Sequence, residues 1–201
     1  MLDMLLGLVF PRTCIGCDRD DVLLCSQCAR SDENAHTSVL AGLLVRSCVP
    51  YAGAVRDAIT GFKHGRRAFA RDLAAILIPF VDADMTLIPV PTTRRRRAER
   101  GFDQTVVLAR VLHRECGVGV SELLGRRGAG AQQGRSRAER LAATGRFFVR
   151  PKRAASRGRF VLFDDVRTTG ATLADAAGTL ERSGLCVSEA LTLAWAPREN
   201  S

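Results

Sequence analysis

No stretch of this sequence reaches the roughly 20 consecutive apolar residues that a membrane-spanning helix needs. The apolar opening "MLDMLLGLVFP" falls well short, and its Asp3 stands where a secretory leader carries basic residues. It reads as a short docking helix, so no membrane span is expected and the expected location is cytoplasmic. Aromatic residues are scarce, at 5% with one Trp and one Tyr. That argues against a platform of stacked aromatics along a single nucleic-acid strand. The seven cysteines do not make an even disulfide set, which points to a reducing compartment rather than an oxidised, disulfide-stapled fold.

What is present is the composition of an ordinary globular protein, 46% hydrophobic and 25% charged. A chain of 201 residues can bury one sizeable α/β core and carry a small appendage. Charge is unevenly spread. Residues 91–159 hold 18 Lys/Arg against five Asp/Glu, about +13, whereas the formal net charge of the whole chain is only +9. A region this basic suits a polyphosphate ligand or nucleic acid.

Cys14 and Cys17 form one C-x2-C pair, and Cys25 and Cys28 form a second within "CIGCDRDDVLLCSQC". Each pair makes a knuckle with both sulfurs turned to one ion, and two knuckles supply the closed four-thiolate shell of a structural Zn²⁺ site. Cys48, Cys116 and Cys186 stand singly in apolar surroundings and are expected in the core.

Hydrophobic spacing predicts a helix carrying Val55, Ile59 and Phe62 and another carrying Phe69, Leu73, Ile76 and Leu77. Lys63 and His64 stand between them, as a solvated helix end or as ligand contacts. "TLIPVP" reads as a buried strand ending at Pro91, and "TVVLARVLHREC" as a helix. A Gly/Ala/Gln/Arg-rich loop follows, with a short helix around "SRAERLAA" and a strand at "RFFV". A helix from about Thr172 to Arg182 and a strand at "CVSEALTLAW" complete an alternation that predicts an open, mostly parallel sheet with helices on both faces.

The stretch "RFVLFDDVRTTGATL" carries the chemistry. Its continuous apolar run has the pattern of a central parallel strand, so Asp164 and Asp165 are expected to emerge at the carboxyl end, where open α/β sheets bind ligands. Thr168, Thr169, Gly170, Ala171 and Thr172 then form a turn opening a helix, with hydroxyls and N–H groups converging near the positive end of the helix dipole. The stretch has neither the lysine of a Walker loop nor the three glycines of a dinucleotide fingerprint. A sugar 5-phosphate fits what remains.

"VLFDDVRTTGAT" resembles the signature of the type I phosphoribosyltransferases: four apolar residues, two acids and a T-T/S-G-x-T loop. Together with "GFKHGRRAFARDLA", "LIPVPTTRRRRAERGFDQTVVLA", "QQGRSRAER" and the paired cysteines, it is similar to the ComF family of competence-associated phosphoribosyltransferase-like proteins. The resemblance implies a zinc-knuckle module over residues 1–35 and a phosphoribosyltransferase-like domain over 36–201, with a lid loop at about 126–145. It implies phosphoribosyl pyrophosphate (PRPP) or a related sugar phosphate as ligand, Mg²⁺ as cofactor, and transfer to an unidentified acceptor in connection with DNA uptake. Asp164 and Asp165 would hold the ribose, directly or through Mg²⁺, and act in catalysis, while residues 168–172 would clasp the 5-phosphate. Pro91, Thr92, Arg94, Arg100, Gly101, Gln104 and Arg137 would serve the pyrophosphate loop and the lid. A non-catalytic sensor of PRPP or nucleotides is the alternative, with an uptake helicase or single-stranded DNA as partner. The chain departs from the family at Asp103, where asparagine is usual, placing a negative charge beside the implied pyrophosphate site, and at "ERLAATGRFF", which lacks an asparagine.

Overall fold

The computed structural model describes residues 12–29, 35–127, 145–150 and 158–196. The docking helix expected at the start of the chain, Arg137, the helix expected around "SRAERLAA" and most of the lid range lie outside the described residues.

A six-stranded sheet forms the centre, in the order β1-β2-β8-β7-β3-β4. Its strands are β1 (His36–Leu40), β2 (Leu43–Pro50), β3 (Met85–Pro89), β4 (Gly119–Val120), β7 (Arg159–Arg167) and β8 (Glu189–Trp195). Only the edge strand β1 runs antiparallel, paired with β2; the other neighbours are parallel. A separate two-stranded antiparallel sheet joins β5 (Leu124–Arg126) to β6 (Phe147–Val149).

The apolar run in β7 is continuous because both faces of the sheet are covered. Val161 and Phe163 point into a core shared with α2 (Gly53–Lys63), α3 (Phe69–Leu77) and α5 (Gln104–Cys116), which follow the short α1 (Ser26–Ala29). Leu162, one residue out of phase, enters the opposite core with Leu173, Ala176 and Leu180 of α6 (Ala171–Glu181) and with Phe147 of β6. The helices α5 and α6 thus lie on opposite faces. From β3 the chain crosses outward to β4, and from the adjacent β7 it crosses the other way to β8. The connections part between β3 and β7, and a crevice opens there at the carboxyl ends of the strands.

Several elements had no signal in the hydrophobic pattern. β4 and β5, of two and three residues, are too short to show an alternation, and they correct the loop expected throughout the stretch after Gly117. The hairpin β1–β2 is broken in sequence by Arg46 and Ser47, yet Arg46 pairs with Glu189 at 3.1 Å and the buried Ser47 accepts a hydrogen bond from Thr192 at 2.8 Å. The helix α4 (Arg94–Arg100) buries no residue, so apolar periodicity cannot reveal it. Its ends do: the Thr93 hydroxyl accepts from the Arg96 N–H at 3.2 Å, and Gly101 closes the helix at φ 75°. Of the three single cysteines, Cys48 is buried, but Cys116 is half-buried and Cys186 exposed, which corrects the core placement expected for them. Cys186 precedes β8 rather than lying in it, so the sheet does not cover it.

Candidate functional site

The four paired cysteines meet in one cluster, with all Sγ atoms within 4.8 Å of one another and Cys17 Sγ 3.6 Å from Cys25 Sγ. A tetrahedral zinc thiolate with Zn–S of about 2.3 Å has sulfur–sulfur edges of about 3.8 Å, so the cluster can close on a structural Zn²⁺. Gly16 makes room: a Cβ there would lie 2.7 Å from the Cys28 sulfur. Burial pushes the Cys14 thiol up, but N–H donors from Cys25, Gly16 and Cys17 outweigh it and bring the thiol down to about 6. Burial and the neighbouring thiols push Cys28 up to about 12, and a bound cation would displace that proton. The knuckle is tied to the main body. Asp72 of α3 accepts from the N–H groups of Leu23 and Leu24 at 2.8 and 3.1 Å, and Leu24 joins the core shared with α2 and α3.

At the carboxyl ends of β3 and β7 lies a cavity of about 520 Å³, within the size range of small-molecule sites. Asp164 and Asp165 line it from β7, Thr168 and Thr172 from the turn into α6, Pro91 and Thr92 from the end of β3, and Gln104 from the start of α5. Asp165 is held by three groups. Lys63 Nζ approaches its Oδ2 at 2.9 Å, Gln104 Nε2 donates to the same oxygen at 3.2 Å, and the Val166 N–H donates to Oδ1 at 2.8 Å. Asp164 accepts the Asp165 N–H at 2.8 Å.

The two carboxyls are driven apart electrostatically. Burial, reinforced by the charge on Asp165, pushes Asp164 well above the ordinary carboxylate range. Burial would raise Asp165 too, but the Lys63 ammonium more than offsets it and holds Asp165 below that range. Asp165 is the constant anion, whereas Asp164 gains from any hydroxyl or cation brought to it.

Further cations complete the cavity. Arg146 lies where α6 begins: its Nη2 donates to the Ala171 carbonyl at 2.8 Å and its Nε bonds Asp175 at 3.0 Å. Arg126, stacked 5.2 Å from the Phe147 ring, reaches toward the Pro91 carbonyl at 3.4 Å, and burial together with the nearby charge of Arg146 lowers its pKa. Arg96 lines the cavity as well. The arrangement combines a hydroxyl-bearing turn at a helix start, guanidinium groups and an acid pair, and can receive a ligand with anionic ends and a hydroxylated middle.

Some residues singled out in sequence lie elsewhere. Arg94 is exposed on α4 and does not line the cavity, which Arg96 reaches instead. Arg100 acts at one remove, donating to Gln104 Oε1 at 2.8 Å, and Gly101 lines a second, smaller cavity. Thr169, Gly170 and Ala171 form the turn without lining the cavity; Thr169 Oγ1 accepts the Ala171 N–H at 3.4 Å, and Leu40 packs against Gly170, which has φ 80°. Asp103 does not face the main cavity: its carboxylate accepts the Thr92 N–H at 3.0 Å and the Thr105 hydroxyl at 2.8 Å. Hydrophobic patterning gave no hint of Arg146 or Tyr51, which line the cavity. His64 is exposed, whereas Lys63 beside it is in the cavity.

The site thus belongs to an open, mostly parallel α/β protein bearing a four-cysteine knuckle and a charged cavity at its switch point. Among the described residues no helix is long and apolar enough to cross a membrane. The chain is 29% identical over 149 residues to the competence protein ComFC of Bacillus subtilis (strain 168), covering 71% of this chain and 60% of that protein. The chain is thus similar to a competence protein over 60% of that protein's length. No family model matches the chain.

Proposed function

We propose that the cavity binds PRPP and that the protein is a phosphoribosyltransferase acting in the handling of imported DNA. One observation carries the reading: the Asp164 and Asp165 pair shares a single cavity with Thr168 and Thr172 at the start of α6, at the switch point of the sheet. The turn and Arg146 receive the 5-phosphate, the acid pair holds the ribose hydroxyls, and Thr92, Arg96 and Arg126 meet the pyrophosphate. The likeness to a competence protein supports the setting in DNA uptake.

Asp164 and Asp165 suit a divalent cation, being adjacent carboxylates open to the cavity with one already ionised. Mg²⁺ there would neutralise charge on the ligand's oxygens. The chain's own groups supply the rest. Arg96 and Arg126 stabilise the departing pyrophosphate, and the ionised Asp165 tempers positive charge developing on the sugar.

Calorimetry with PRPP and Mg²⁺ tests binding. The wild-type protein should give saturable heats, and Asp165→Asn should weaken affinity by roughly a hundredfold or more, the scale of one buried charged contact. Unchanged affinity in the variant refutes the assignment. Transfer is tested with a panel of bases and amines by following pyrophosphate release.

A second reading is a PRPP sensor without transferase activity. It is favoured by Asp165 being already engaged by Lys63 and Gln104 at 2.9 and 3.2 Å. Tight PRPP binding with no pyrophosphate released for any acceptor selects it. The basic segment suits single-stranded DNA as a partner of either form, and such binding should weaken steeply with salt.

A further inference from the structure

A second cavity, of about 240 Å³, lies behind the loop that follows β3. Its charge is strongly one-sided. Arg67, Arg97, Arg110 and Arg150 line it against two acids, Asp103 and Glu122. Asp103 is already committed to Thr92 and Thr105, and Glu122 is shared between Arg110 at 2.7 Å and Arg150 at 3.8 Å. Arg67 is set in place by lying 4.7 Å from the Phe102 ring and donating to the Gly101 carbonyl at 3.1 Å. Among the described residues, the Arg97 guanidinium has no ion-pair partner.

The rest of the lining is apolar, from Phe102, Val106, Val107 and Leu124. A dry cavity of about 150 Å³ admits benzene, so this one has room for a single ring and an attached anionic group. Inorganic anions gain nothing from the apolar lining, whereas a ring bearing phosphate or carboxylate uses both halves.

We infer that this cavity is a second ligand site, for a small aromatic phosphate or carboxylate, whose occupancy is transmitted to the main cavity through Asp103. The connection is direct. Asp103 lines the second cavity and holds the N–H of Thr92, which lines the first, and Pro91 lines both. A ligand that draws on Arg67 and Arg97 therefore changes the field at the carboxylate that positions Thr92.

The test is an amide NMR titration of the full chain with phenyl phosphate. Saturable shifts are expected at Phe102, Val106 and Val107, and also at Thr92. Arg97→Gln should weaken binding roughly tenfold, and Arg67→Gln comparably, as loss of one charged hydrogen bond implies. Arg97 and Arg67 are exposed, so both variants should keep the wild-type spectrum elsewhere. Arg146→Gln, in the main cavity, should leave phenyl phosphate affinity unchanged, and inorganic phosphate should bind at least about tenfold more weakly. Absence of saturable shifts overturns the site, as do shifts centred on Thr168 and Thr172. Equal affinity for inorganic and phenyl phosphate overturns the aromatic specificity. These readouts do not depend on PRPP being the ligand of the main cavity.

Discussion

The cysteine knuckle and the main cavity are built on opposite plans. All four knuckle sulfurs come from residues 14–28, whereas the cavity lining runs from Tyr51 to Ala196. A short loop closes at small entropic cost, so spacing alone can specify the knuckle once a metal holds it. The cavity has no such local logic. Lys63 and Asp165 touch only because α2 and β7 are packed by the intervening sheet and core. Local sites depend on their ligand, and assembled sites depend on the fold.

The largest expected effect separates the two plans. Structural zinc contributes on the order of 10 kcal/mol to small knuckles. Chelation, or Cys25→Ser, should abolish hydrogen-exchange protection at the Leu23 and Leu24 amides while leaving Val161 and Phe163 protected. Equal loss at both places would break the comparison and make the knuckle part of one cooperative unit with the sheet.

Next in size is the tie between the regions. Asp72→Ala leaves two N–H groups without their charged acceptor and should cost about 2 kcal/mol in a urea titration. Exposure should concentrate at the knuckle. A chemical-shift response spreading to Asp165 and Thr168 would instead show the knuckle supporting the cavity.

The smallest effect concerns the cavity alone. Asp164 has a folded pKa above its unfolded value, so its contribution favours the native state at low pH and is lost as pH rises through the folded pKa. Asp164→Asn should therefore stabilise the protein by about 1 kcal/mol at neutral pH, and the gain should vanish below about pH 4, where the unfolded carboxyl is also protonated. Thermal melts across that range check it; a gain that persists in acid would point to packing rather than charge.

Legibility in the sequence followed the same division. Apolar periodicity disclosed α2, α3, α5, β3 and β7, since each presents a buried face or a fully buried run. It passed over α4, whose only signals are its caps, and the hairpin β1–β2, where Ser47 is satisfied by a strand 145 residues away. Asp103 shows the limit most clearly. In sequence it is a negative charge beside an anion site; in the fold it is turned onto Thr92 and Thr105.

The sequence by itself determined the four-cysteine cluster, the strand that carries Asp164 and Asp165, and the hydroxyl turn after it, because each rests on residues within about one turn or strand of one another. Only the tertiary structure decided that Lys63 would oppose Asp165, that Arg126 and Arg146 would flank the cavity, and that Asp103 would stand between two cavities. Those contacts join elements distant in the chain. Their partners are chosen by strand order and by the cores on the two faces of the sheet, which no local spacing encodes.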